Sequence, residues 1–173
     1  MLYNDNKTKR TVILRFKRKE LLYDLENNSF IEGDIARTDD EHERHQVFDI
    51  ARTGNIDRVS RVLSLAHSEC VEMLFPYTKK GVTEDTQHED FLENPDEYII
   101  TMIVPSSFSK STIDILRNLI HEYLVCRVME DWMSLTKPAS QSNWRDKLEY
   151  LKAKIRTSLM SRVEAVRRKQ SPF

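Results

Sequence analysis

The strongest constraint on the fold is the stretch from Ser111 to Phe173, which carries two long apolar stripes at helical spacing with Pro138 between them. In the first stripe Ile113, Leu116, Ile120, Leu124 and Val128 recur at threes and fours, and Tyr123 and Trp132 widen the face. Ser109-Lys110-Ser111-Thr112 ahead of it are helix N-cap residue types, and Asp114 sits early enough to favour the helix dipole. Pro138 disfavours helix in the residue before it, so this helix is expected to stop near Leu135. The second stripe begins after Ser140-Gln141-Ser142-Asn143 and runs through Trp144, Leu148, Leu151, Ile155, Leu159, Val163 and Val166, with no proline or glycine inside it. A short link between two long helices favours an antiparallel hairpin. The residues that follow, Arg167-Arg168-Lys169-Gln170-Ser171-Pro172-Phe173, have no way to bury themselves in the same helix pair. An extended basic C-terminal arm over 167–173 is therefore expected.

The remaining sequence reads as smaller elements around that hairpin. With 173 residues a single domain over 1–173 is expected, large enough for a real core. Residues 1–10 read as a flexible N-terminus. Thr11-Val12-Ile13-Leu14-Arg15-Phe16 alternates as a strand with Val12, Leu14 and Phe16 on one face. Lys19 to Leu25 reads as a short helix ended by Asn27-Asn28, with a loop from Phe30 to Asp40 that turns near Gly33-Asp34. Helical periodicity returns from Glu41 to Arg52 through Val47, Ile50 and Ala51, and Thr53-Gly54-Asn55 breaks it. Ile56, Val59, Leu63, Ala66, Cys70 and Met73 then mark a stronger helix, capped by Asn55 and ending near Pro76.

Residues 78–96 form an acidic loop, long enough to be suspected of function. Glu97 to Val104 is the second strand, closed by Pro105 and apolar on both faces, so cover on both faces is expected. The two strands pair with each other or with a neighbour's, since a lone two-stranded ribbon is marginal in water. The fold class that results is mainly α: a helical bundle with a long C-terminal helical hairpin and a small two-stranded β element.

Composition removes several function classes. Only Gly33, Gly54 and Gly81 occur, and no glycine-rich phosphate loop is among them. The net charge of −1 is not that of a molecule built to hold DNA by bulk charge. No apolar run approaches the roughly 20 residues of a membrane span, and the polar start Met1-Leu2-Tyr3-Asn4-Asp5 is no signal peptide. Cys70 and Cys126 each sit inside a helical pattern, which is no disulfide framework and fits a reducing compartment.

The charges are nonetheless segregated. The N-terminus and the C-terminal helix are basic, whereas 20–49 and the run around Glu84, Asp85, Glu89 and Asp90 are acidic. Opposite-sign regions on one chain can steer the docking of like subunits. The acidic run and the basic Lys152 and Arg156 are accordingly the candidate subunit interface.

Candidate chemistry is sparse. His42-Glu43-Arg44-His45 and His67-Ser68-Glu69-Cys70 have metal-like spacings but lack the companion pair of a structural zinc site, so neither a metal nor a cofactor is expected. Glu130 and Asp131 beside Trp132 diverge around a helix and make no dyad. No nucleophile motif is recognisable, so no enzyme is expected. Trp132 and Trp144 read as core anchors. Pro172-Phe173 after the cationic run reads as a docking peptide, with charges for approach and one ring to fill a pocket.

The strand Tyr98 to Val104 followed by a helix, then Glu122-Tyr123-Leu124-Val125 and Asp131-Trp132, a proline link, and a closing helix ending in Arg162 to Phe173, together resemble the head-to-tail connector or adaptor proteins of tailed bacteriophages. The resemblance covers mainly 98–173. It implies a structural virion protein, assembled in the host cytoplasm, that forms a homo-oligomeric ring in the neck and joins the portal to the tail. The implied partners are copies of itself, the portal protein and tail or further neck proteins, with nonspecific contact to DNA in the channel and none to membrane. It further implies that Arg162, Arg167, Arg168, Lys169, Pro172 and Phe173 dock on the portal. This chain departs from the family in a longer N-terminal portion that holds a β-strand. The competing expectation is a nucleic-acid-associated helical regulatory protein that uses its two basic ends.

Overall fold

The computed structural model describes residues 9–35, 41–75, 77–79, 94–106 and 108–160. Strand β1 (Lys9–Lys17) runs directly into helix α1 (Arg18–Ile35). Helix α2 (Glu41–Phe48) follows, ending in a 3-10 turn at Asp49–Ala51, then helix α3 (Ile56–Met73), strand β2 (Glu97–Pro105), and the long helices α4 (Lys110–Thr136) and α5 (Pro138–Met160). The C-terminal pair is the hairpin the sequence predicts. Only Lys137 separates α4 from α5, and Pro138 takes the first helical position, where its missing N–H costs no hydrogen bond. The second helix thus starts earlier than the Ser140–Asn143 run suggested.

The two strands pair within the chain, antiparallel, with Lys9 opposite Pro105 and Lys17 opposite Glu97. The ladder continues one step into α1, where Arg18 N donates to Asp96 O at 2.9 Å. Leu14 and Phe16 of β1 join Tyr98, Ile100, Met102 and Val104 of β2 on the buried face. Cover on both faces of β2 was expected; the structure covers one. Ile13 and Ile99 on the other face are 51% and 43% exposed, because the helices that pack on the ribbon all lie on one side of it. The open edge of β2 is partly occupied: Ile103 N donates to Tyr77 O at 2.9 Å, and His67 Nε2 donates to the Ile99 carbonyl at 3.0 Å.

Helix α4 is the axis of the core and touches α1, α2, α3 and α5. Its predicted stripe is buried from Leu116 to Trp132, with Ile113 half-buried, but so are Val125, Cys126, Met129 and Met133. Mid-helix the residues Tyr123 to Cys126 are buried in unbroken succession, since α5 covers the side that a simple amphipathic helix would expose. Along α3 the single stripe Val59, Leu63, Ala66 and Cys70 is buried; along α5 it is Trp144, Leu148, Leu151 and Ile155.

Four local expectations need correction. Helix α1 does not stop at Asn27-Asn28 but runs on to Ile35, into the stretch read as loop; residues 36–40 of that stretch lie outside the described residues. Asn28 Nδ2 donates to Asp24 O (2.8 Å) and Ser29 Oγ to Glu26 O (2.9 Å), so side chains that often break helices are satisfied inside one. Gly33 lies against the Phe48 ring, where any Cβ would collide, so this glycine serves a close approach and not a turn. Asn55 precedes α3 but does not cap it; its Nδ2 donates to Asp49 O at 2.8 Å and ties the turn to the preceding one. Ser109 has the extended backbone of an N-cap, yet its hydroxyl bonds Ser111 Oγ (2.7 Å) and no helix amide.

Candidate functional site

The densest polar constellation among the described residues staples α3, α4 and α5 together. Glu69 comes from α3, Tyr123, Arg127 and Glu130 from successive turns of α4, and Gln141 and Arg145 from α5. Tyr123 Oη donates to Glu69 Oε2 at 2.5 Å. Arg127 reaches Glu69 Oε1 at 3.5 Å and Glu130 Oε2 at 2.9 Å. On Glu130 Oε1 converge Gln141 Nε2 (2.9 Å) and Arg145 Nη2 (3.4 Å). Burial, and then the hydrogen bond to the Glu69 carboxylate, push the Tyr123 phenol well above its ordinary range. A phenol held that way keeps its proton, and Arg127 engages both carboxylates of the cluster. Its work is to fix three helices in one register.

A second polar knot holds the elbow of the hairpin. Lys137 Nζ donates to both the backbone oxygen (3.0 Å) and Oε2 (3.1 Å) of Glu32, and Trp144 Nε1 donates to Glu32 Oε1 at 3.2 Å. The carboxylate near the end of α1 thereby gathers the linking residue and the first aromatic of α5. Asp131 and Glu130 do diverge: Asp131 turns to α3 and accepts from Arg58 at 2.9 Å, while Glu130 faces α5. Trp132 and Trp144 are buried, Trp132 donating to Val47 O at 3.0 Å.

The cysteines are free and buried, and burial pushes the Cys126 thiol up to about 11 and the Cys70 thiol higher still, which leaves both as inert packing groups. Among the described residues no group of three or more His, Cys, Asp or Glu side chains stands close enough to hold a metal ion. His67 of the His-x-x-Cys pair is spent on the Ile99 carbonyl; of the His-x-x-His pair, His45 stands edge-on to Phe48 and the side chain of His42 lies outside the described residues. His121 Nε2 lies 2.6 Å from Asp24 Oδ2 in a shallow open cleft with Lys19, Glu20 and Tyr23.

His67 gives a measurable pH dependence. Burial holds its imidazole below the ordinary value of 6.5, against which the Ile99 hydrogen bond pulls back. The unfolded chain then takes up the proton first as pH falls. Stability from this group is full above the unfolded value and is lost as pH drops through it toward the lower folded one. His67→Gln, which retains a donor, should flatten the slope of the urea midpoint against pH between about 7 and 5.5. An unchanged slope would remove His67 as its source.

Of the residues predicted to act, Lys152 and Arg156 lie on α5, where Lys152 Nζ pairs with Glu149 Oε1 at 2.8 Å and Arg156 is exposed nearby. Glu84, Asp85, Glu89 and Asp90 lie outside the described residues, as do Arg162, Arg167, Arg168, Lys169, Pro172 and Phe173. Missed from sequence were the Glu32 knot, the Glu69–Tyr123–Arg127 staple and the bare face of the ribbon. For the last, the alternation of Thr11, Ile13 and Arg15 against Leu14 and Phe16 was the available signal. No helix among the described residues is long and apolar enough to cross a membrane. Comparison of the chain with protein-family models, curated proteins and solved structures finds no match.

Proposed function

We propose that the protein is a structural virion component of a tailed phage, a subunit of a homo-oligomeric ring that connects the portal to the tail. The observation that carries this reading is the braced hairpin. Helices α4 and α5 turn back on each other across one residue, and Glu32 locks that elbow to α1. At the other end of the pair Leu159 still packs against the core while Met160 beside it is 82% exposed, two residues before the cationic sequence from Arg162 to Lys169. A stiff wedge followed by a cationic sequence suits a subunit that packs beside its copies and docks on a neighbour. This fits the resemblance of the 98–173 sequence to head-to-tail connector proteins, a family in which a basic C-terminal arm often inserts into the portal. The reading assigns no catalytic step.

Deleting Lys169 to Phe173 should leave the circular dichroism and melting temperature unchanged and abolish capture of the chain by its portal. Full capture by the truncated chain defeats the docking role. Steeply salt-dependent binding to DNA, with no portal capture by the intact chain, would favour the nucleic-acid reading instead.

A further inference from the structure

The bare face of the β-ribbon has a chemical character of its own. In the observed register Thr11 stands opposite Ile103, Ile13 opposite Thr101 and Arg15 opposite Ile99. The centre of the face is thus β-branched and apolar, with Ile13 and Ile99 substantially exposed. Its rim has more cations than acids: Lys9, Arg15 and Lys17 all point outward from β1, with Arg15 engaging Glu97 at 3.1 Å and Lys17 engaging Glu20 at 3.2 Å. Exposed apolar surface of this kind, rimmed by charge, marks an interaction site. The cations along an edge strand also discourage pairing of the ribbon with its own copy edge to edge.

A second bare surface on the same chain is its complement. On α1, Tyr23, Asn27, Phe30 and Asp34 recur at helical spacing on the solvent face, and Ile31 adjoins them. Tyr23, Phe30 and Ile31 are all more than half exposed. From Tyr23 onward the exposed charges of this helix are Glu26 and Asp34, both acidic. The sizes match as well. An 18-residue helix is about 27 Å long, and a nine-residue strand spans about 31 Å.

We propose that the outer face of α1 in one copy lies across the bare ribbon face of the next. The acids of α1 meet the cations of β1, and Tyr23, Phe30 and Ile31 cover Ile13 and Ile99. The contact joins two different surfaces, so it is heterologous and propagates from copy to copy, closing into a ring where the rotation allows. This deepens the ring reading and rests on it, because it names the surfaces through which the subunits meet.

The test mixes two single variants of the full chain, Asn27→Cys on α1 and Thr101→Cys on the ribbon face, treated with a short bis-maleimide. The native cysteines are buried. Mixed dimers should exceed both homodimers, and adding Ile13→Glu to the ribbon variant should lower their yield about tenfold. Raising salt should weaken the association of the unmodified chain in sedimentation equilibrium. Homodimers equal to or above mixed dimers, in a chain that does self-associate, overturn this pairing of surfaces and leave the ring standing. A chain that stays monomeric up to ~1 mM, the weak end of specific affinities, overturns both.

Discussion

Trp132→Ala should destabilise the protein by about 3–5 kcal/mol, the range for removing a large buried aromatic from a close-packed core. Trp132 is 6% exposed near the C-terminal end of α4, and its indole N–H donates to Val47 O at the end of α2. Truncation therefore does two things at once. It opens a cavity beside the helix that touches four others, and it strips a buried carbonyl of its donor. A domain of ordinary stability has about 5–15 kcal/mol in total, so the variant should melt roughly 10 °C lower or fail to accumulate. Trp132→Phe separates the contributions, since it refills most of the cavity and loses only the hydrogen bond. Its expected cost is about 1–2 kcal/mol. Equal urea midpoints for Trp132→Ala and the unmodified chain would show that α2 is not anchored through this ring.

Glu32→Ala carries the next largest effect, about 2 kcal/mol. One carboxylate accepts from Lys137 Nζ and Trp144 Nε1, and its side chain is only 19% exposed. Removing it leaves an ammonium and an indole N–H facing a partly desolvated gap. Lys137 retains the backbone oxygen of residue 32, and residual solvent reaches the site, which keeps the cost below that of a fully buried pair. The informative comparison is the double-mutant cycle of Glu32→Ala with Lys137→Met. If the elbow is held by this pair, the double variant should recover at least half of the loss, because the unpaired charge is gone. Additive losses would mean that Glu32 acts only through its own packing. Since the knot joins α1 to the α4–α5 turn, the variant should also raise amide exchange at the start of α5 before it raises exchange in α3.

Much of the fold was legible in spacing. The α3 stripe from Val59 to Cys70 and the two stripes flanking Pro138 recur at threes and fours, and the helices bury Leu116 to Val128 of the first and Trp144 to Ile155 of the second, with Ile113 and Leu159 half-buried and Val163 and Val166 outside the described residues. Strand β1 was legible from its alternation, Leu14 and Phe16 facing inward between the outward Ile13, Arg15 and Lys17. What misled were residues whose usual local role was overruled. Asn27-Asn28 and Gly33 ordinarily punctuate, but Asn28 found the Asp24 carbonyl and Gly33 found the Phe48 ring, so α1 continued. The candidate site was hardly legible at all. Tyr123 reads as part of an apolar stripe, and nothing near it in sequence announces that its hydroxyl meets Glu69 of another helix.

Periodicity reports how a residue relates to neighbours three or four positions away, or two in a strand, and so the sequence alone determined the two strands, the α3 helix and the C-terminal hairpin. It holds no record of which surface meets which. That Glu32 meets a lysine 105 positions on, that α5 closes over the far side of α4, and that one face of an apolar ribbon stays bare were decided only when the elements packed. Each of those outcomes depends on groups brought together across the whole chain, where the gain from burying a pair or a face exists only after the partners have arrived.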